Sequence, residues 1–192
     1  TCNALTRLLV PEDELEKAEE ILVRQTAGYK FGPVEDPETD MGPLASRKQF
    51  DRVKGYIELG IQEGARVLLG KVPEDDGSYK VEPVIFSDVK RDMRIAREEI
   101  FGPVLVVLPY KDVEEAVSIA NDSIYGLAGG VFGPEKEANE VARQMKTGTV
   151  YVNAGQWDVA SPFGGYRQSG LGREGGVEGY EEFLEVKTIY DK

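Results

Sequence analysis

Histidine is absent from this 192-residue chain, so no imidazole can act as a general base or a metal ligand. Cysteine is almost absent: Cys2 is the single one. That excludes an intramolecular disulfide and, with no histidine to join it, speaks against a zinc site. Nothing in this thiol usage suggests a chain built for an oxidising compartment, and a cytoplasmic setting is expected. Long apolar runs are missing as well. No stretch approaches the ~20 residues that span a bilayer, and the opening TCNALTRLLVPEDE has no basic segment followed by an apolar one, so neither a membrane partner nor a targeting signal is expected. Positive charge is in deficit, with 23 Lys and Arg against 35 Asp and Glu and a net charge of −12. Such a surface repels phosphate backbones and anionic lipids, so nucleic acid is not an expected partner.

What is present is enough for a core, since 41% of the residues are hydrophobic. Any chemistry must come from a thiol, a carboxylate, an amide or a cofactor.

Along the chain, TRLLV is short and β-favouring, and Pro11 closes it. EDELEKAEEILVRQTAG then places Leu15, Ala18, Ile21 and Leu22 at helical spacing, with acids in the first turn where the helix dipole favours them. The Pro-, Gly- and Asp-rich segment from Gly32 to Leu44 is a loop. ASRKQFDRVKGYIELGIQEGA puts Phe50, Val53, Ile57 and Ile61 on one stripe and predicts a second amphipathic helix. ARVLLG is a strand, and YKVEPVIFSDV is an extended segment bent or edged by Pro83. VLVVLPY is apolar almost throughout, as in a sheet covered on both faces. VEEAVSIANDS reads as helix, GLAGGVFG as strand, KEANEVARQMKTG as helix and GTVYVN as strand. The alternation predicts an α/β fold: a mostly parallel sheet flanked by helices in three layers. Past Asn153 the periodicity stops through AGQWDVASPFGGYRQSGLGREGG, a length of loop that inside a compact domain is usually functional or disordered. Trp157, Phe163 and Tyr166 argue against disorder. The closing FLEVKTIYD alternates as one more edge strand.

Several residues carry chemical options. Cys2 is a nucleophile if ionised and an inert small filler otherwise. In REEIFGPVL, Glu98 and Glu99 are either a solvated acidic turn or acceptors for vicinal hydroxyls, and strand alternation allows only one of them to face inward. The stretch from Gly164 to Gly176 has neither the dinucleotide fingerprint nor the P-loop pattern, so it reads as a loop that needs positive φ at several positions. Trp157 and Phe163 either line an apolar pocket or pin that loop.

Taken in order, TCNALTRLLVP, MGPLASRKQFDRVKGYI, REEIFGPVL, YGLAGGVF, GTVYVN and SPFGGYRQSGLGRE resemble the aldehyde dehydrogenase superfamily over essentially the whole chain. The resemblance implies that residues 1–192 are the C-terminal, catalytic-domain portion of such an enzyme, with residues 180–192 an edge strand used in oligomerisation. It implies a thiolate at Cys2 that attacks a small-molecule aldehyde, and NAD or NADP as hydride acceptor. Glu99 matches the carboxylate on the nicotinamide-side ribose, Phe101 the ring beside it, Phe163 an aromatic near the nucleophile, and Trp157 the loop that shapes the aldehyde entrance. A homo-oligomer, dimer or tetramer, is implied too. In the family the nucleophile lies about two-thirds along the chain, whereas here it is the second residue. The cofactor domain and the glutamate base would then lie upstream, and the fragment alone is expected to be inactive. Two other readings stay open: a reductase of acyl phosphates or acyl thioesters on the same scaffold, and a non-catalytic oligomerisation module.

Overall fold

The computed structural model describes Thr1–Lys192 and divides into two compact units, Thr6–Ile119 on the one hand and Thr1–Leu5 with Ala120–Lys192 on the other.

The first unit is a three-layer sandwich. Its elements are β1 (Arg7–Pro11), α1 (Leu15–Thr26), α2 (Arg47–Gln62), β2 (Arg66–Leu69), β3 (Val84–Ser87), α3 (Arg94–Arg97), β4 (Val104–Tyr110) and α4 (Val113–Asn121). The strands lie in the order β1-β4-β3-β2. β1 and β3 both run parallel to β4, with Leu8 opposite Val107 and Val84 opposite Val104, while β2 runs antiparallel to β3. That antiparallel edge departs from an all-parallel alternation for a simple reason: no helix lies between β2 and β3, and without a crossover the chain returns in the opposite direction. The expected extended segment around Pro83 contributes to the ladder only from Val84 onward, because the proline has no N–H to give.

Side-chain alternation divides the sheet into two cores. On one face Val84, Phe86, Val104, Val106 and Leu108 pack with Phe50, Val53 and Ile57 of α2, Ile95 of α3 and Ile119 of α4. On the other, Val10, Ile85 and Val107 pack with Leu15, Ala18 and Leu22 of α1. The continuous apolar run of β4 is thereby explained, since it is covered on both sides. A bulge between Val67 and Leu69 sends Val67 to the first core and Leu69 to the second.

α2 begins at Ser46, whose hydroxyl accepts from the Gln49 N–H at 3.2 Å, a standard N-cap. Its stripe differs from expectation at one end. Phe50, Val53 and Ile57 are buried, but the fourth buried position is Gly60, and Ile61 is 45% exposed. Phe86 and Ile95 fill the space beside Gly60, where a Cβ would lie 2.9 Å from Phe86 Cζ, so the last turn meets the core through a residue with no side chain.

The second unit holds β5 (Ala128–Val131), α5 (Glu135–Gln144), β6 (Thr149–Val152) and α6 (Gly176–Glu181). β5 and β6 pair in parallel with Ala128 opposite Thr149, a βαβ crossover over α5. The strands thus fall into two sheets. The closing segment FLEVKTIYD, expected as an edge strand, has no strand partner within the chain. A strand exists only through its ladder, and no other strand of this chain pairs with it.

Ile57→Ala should lower the unfolding free energy by about 2–5 kcal/mol through the cavity it opens, and Ile61→Ala by less than about 0.5 kcal/mol. Urea denaturation of the two variants checks the assignment of the stripe.

Candidate active site

In the second unit a cleft of about 490 Å³ is lined by Cys2, Asn3, Tyr151, Trp157, Val159, Ser161, Phe163, Glu174 and Gly175. Its geometry follows from the ends of β6 and from two close glycine approaches. Asn153 and Ala154 both adopt left-handed φ, 48° and 61°, a turn that asparagine tolerates better than most residues. The Asn153 amide also ties the two strand ends together. It accepts from the Gly133 N–H and donates to the Gly133 carbonyl, both at 3.0 Å. The chain therefore leaves β6 sharply, and Trp157 and Val159 reach the cleft on the loop that follows.

Phe163 is held differently. Its N–H donates to the Glu174 carbonyl at 2.6 Å and the Glu174 N–H returns the bond at 2.7 Å, an antiparallel bridge that closes the stretch between them into a loop. The glycines of this stretch serve close approach more than backbone handedness. A Cβ on Gly148 would sit 1.6 Å from the Gly164 carbonyl oxygen, and one on Gly165 would meet Ser169 Cβ at 2.3 Å. Positive φ occurs in this stretch at Gly175, Gly176 and one non-glycine residue, Arg167, so the expected left-handed positions are present but fall on two of its glycines only.

Cys2 is exposed and unbridged, in a short turn beside Asn3, whose amide donates to the Tyr151 hydroxyl at 3.4 Å. The structure thus brings together Cys2, Trp157 and Phe163 from widely separated parts of the chain. It adds Asn3, Tyr151, Val159, Ser161 and Glu174, which sequence reasoning did not single out. Of these only Glu174, an acid inside a glycine-rich loop, carried a signal. With a thiol, a carboxylate and a wall of aromatic rings, the cleft can admit an apolar small molecule and attack it.

Glu99 and Phe101 belong to the first unit, in the link between α3 and β4. Glu98 and Glu99 part company there. The Glu98 carboxylate accepts from Tyr56 Oη at 2.6 Å and from Arg94 Nε and Nη2 at 2.8 and 2.9 Å. Arg94 first, then Tyr56, hold it well below the usual carboxylate range, at about 2, while burial and Glu98 itself push the Tyr56 hydroxyl up and keep it a donor. Glu99 is exposed, and its carboxylate makes no ion pair or hydrogen bond within the chain. Phe101 is 50% exposed with φ +60°. The two-residue alternation of a strand does not place Phe101 beside Glu99, because its backbone is left-handed.

A three-layer α/β unit and a second unit that presents an exposed thiol at an aromatic cleft define the class: a thiol-bearing α/β protein. The aldehyde dehydrogenase family profile matches residues 1–189, and the chain belongs to that family. The 3-succinoylsemialdehyde-pyridine dehydrogenase of a Pseudomonas species is 46% identical over 98% of this chain and 40% of its own length. A putative aldehyde dehydrogenase of Staphylococcus aureus strain MW2 is 47% identical, with the same coverage. Among solved structures, aldehyde dehydrogenase C of Pseudomonas syringae, a mutant in complex with NAD+ and octanal, superposes with a TM-score of 0.94 at 42% identity, over 98% of this chain and 40% of that one. Betaine aldehyde dehydrogenase of Staphylococcus aureus, in complex with NAD+ and with a BME-modified cysteine, gives a TM-score of 0.92 at 39% identity, over 97% of this chain and 39% of that one. The chain spans about two-fifths of the length of these relatives. No helix is long and apolar enough to cross a membrane.

The depressed Glu98 value has a signed consequence. A carboxylate whose pKa falls from 4.5 to about 2 on folding adds stability that is complete above about pH 5 and is lost as pH drops towards 2. The stability difference between the native chain and Glu98→Gln should be constant from pH 5 to 7 and shrink steadily below pH 4.5. Denaturation curves across pH 2–7 measure it; a gap that widens on acidification contradicts the assignment.

Proposed function

We propose that this chain supplies the nucleophile and part of the cofactor grip of an NAD- or NADP-dependent aldehyde dehydrogenase that oxidises an aldehyde to a carboxylic acid. The observation that carries the reading is the exposed Cys2 thiol on the cleft lined by Trp157 and Phe163. The thiolate of Cys2 attacks the aldehyde carbon, forming a C–S bond as the carbonyl electrons move to oxygen. Loss of hydride from that carbon restores the carbonyl as a thioester. Water then adds, the C–S bond breaks, and the acid leaves with the thiolate regenerated. Trp157 and Phe163 cover the aldehyde with apolar surface and limit the water around it. Glu174 lines the same cleft, where its carboxylate can take a proton from thiol or water.

NAD(P)+ supplies the hydride acceptor when bound. The residues present fit it. An exposed carboxylate with no internal partner, as at Glu99, accepts two hydrogen bonds from vicinal ribose hydroxyls, and the exposed Phe101 ring offers an apolar face. The solved relatives named above were captured with NAD+, which supports the same cofactor class here. Glu98, tied to Arg94 and Tyr56, is the structural member of the pair.

The second reading concerns assembly. Phe183, Val186, Ile189 and Tyr190 are all 81% or more exposed, apolar surface that a monomer would leave in water. The closing segment is proposed to pair with a second copy, giving a homo-oligomer.

In the full-length enzyme, Cys2→Ala should cost at least about 10⁴-fold in NADH formation from an aldehyde. Glu99→Gln should slow hydride transfer by about tenfold to a hundredfold and leave alkylation of Cys2 unchanged. A larger effect from Glu98→Gln reverses the assignment, and turnover of acyl-CoA with NADH but not of aldehyde with NAD+ points to a reductase. Removing residues 183–192 should lower the mass seen by sedimentation equilibrium; an unchanged mass counts against the pairing role.

A further inference from the structure

The stretch 154–175, which walls the cleft, carries four charged side chains: Asp158, Arg167, Arg173 and Glu174. Both cations are engaged by backbone carbonyls. Arg167 Nη1 donates to the Asn121 carbonyl at 2.8 Å and to the Ser123 carbonyl. Arg173 Nη1 donates to the Gly172 carbonyl at 2.8 Å and to the Gly165 carbonyl at 3.1 Å, with its Cζ 5.6 Å from the centroid of the Tyr166 ring. Neither guanidinium lines the cleft. The Asp158 carboxylate accepts from the Ala160 N–H at 2.9 Å and closes its own turn. Glu174 differs from all three. It lines the cleft, it is exposed, and its carboxylate has no ion pair or hydrogen bond within the chain. Its backbone is fixed from two sides. The two-way bridge to Phe163 holds one. On the other, a Cβ on Gly175, whose φ is +73°, would fall 3.1 Å from the Ser161 carbonyl oxygen and 3.4 Å from that of Val159, so the chain after Glu174 lies close against the segment that carries Val159. With its backbone held, the carboxylate stays within a side chain's length of the cleft wall.

We infer that Glu174 makes the cleft selective by charge: it admits aldehydes that carry no negative charge and disfavours those whose far end is a carboxylate. The inference rests on the reading that aldehydes react at Cys2 in this cleft. A cavity of about 490 Å³, taken as a sphere, is about 10 Å across, and the Debye length is itself about 10 Å at 0.1 M salt, so an anion bound there meets the Glu174 charge with little screening. At such separations, with an effective dielectric between those of protein and water, the repulsion lowers binding about tenfold. No guanidinium or ammonium among the lining residues offsets it, and partial loss of water beside Trp157 and Phe163 adds to the cost of a carboxylate. The net charge of −12 acts in the same direction at longer range. Selection by charge and acceptance of a proton would use the same carboxylate, so the two are separated by a ratio of substrates within each variant, in which a loss common to all aldehydes cancels.

The test uses the full-length enzyme with NAD+ and a matched pair of aldehydes, glutaric semialdehyde and its methyl ester. NADH formation gives kcat/KM for each, at about 20 mM and about 500 mM NaCl, in the native enzyme, Glu174→Gln and Glu174→Lys. In the native enzyme the ester should exceed the carboxylate about tenfold at low salt, and the ratio should fall to about threefold or less at high salt. Glu174→Gln should cut the low-salt ratio at least about fivefold, and Glu174→Lys should bring it below one, whatever either does to the overall rate. A ratio unchanged in Glu174→Gln, a native ratio that salt does not move, or a native preference for the carboxylate each overturns the charge selection and leaves the dehydrogenase reading standing. Should the Glu174 variants fail to fold, the salt dependence of the native ratio decides. Absence of NADH from both aldehydes and from hexanal overturns the dehydrogenase reading and this inference with it.

Discussion

The first unit depends on α2 lying against the β3 and β4 face of the sheet. Phe50, Val53 and Ile57 are at most 1% exposed, and they pack with Phe86, Val106 and Leu108 in one buried cluster. Burial of this kind stabilises by roughly 1.5–3 kcal/mol per large side chain, so the orientation of α2 is set by its inner face. The outer flank of the helix is then fixed as a consequence. Gln49 and Arg52 on that flank donate to carbonyls of the α3–β4 link, and Tyr56 donates to the Glu98 carboxylate. A hydrophobic constraint thereby becomes a polar one: the segment that presents Glu99 and Phe101 is shaped by a helix whose own position is decided on its other side.

The second unit relies on backbone proximity in place of a large buried stripe. β5 and β6 are only four residues each, and the Asn153 amide joins their ends. Beyond them the chain folds back so that Gly164 meets Gly148, just before β6, and Gly165 meets Ser169, approaches at which no side chain fits. Glycine here acts by its lack of bulk: peptide planes pass within contact distance, and the hydrogen-bonded bridge of Phe163 with Glu174 holds the loop that walls the cleft. On the cleft wall Trp157 is 60% exposed and Phe163 and Tyr151 are half-buried, which is the signature of a binding concavity more than of a core.

Much of this was legible from residue order. Helical spacing located α1, α2, α4 and α5, and the unbroken apolar run marked β4 with both its ends. The short elements were not legible: α3 with four residues and α6 with six are too brief to show a period. The strand β2 was legible but its antiparallel direction was not, since strand direction is a property of the connection and not of the strand. In the candidate site, Cys2, Trp157, Phe163, Glu99 and Phe101 stood out by chemistry or by resemblance. Asn3, Tyr151, Ser161, Gln49 and Arg52 did not, because nothing in an amide, a hydroxyl or a guanidinium announces which distant group it will meet.

By itself the sequence determined the chemical inventory, with one thiol, no imidazole, an acidic surface and apolar periods that oblige helices to cover a sheet. Those follow from side-chain chemistry and from the 3.6- and two-residue repeats, which are local. Tertiary structure alone decided which of two adjacent glutamates is bound and which is free, and which aromatic rings share a cleft with the thiol. Glu98 and Glu99 are chemically identical, and only Tyr56, 42 positions away, and Arg94 tell them apart. Pairings at that separation are settled by packing, where the position of every partner depends on the burial of residues elsewhere.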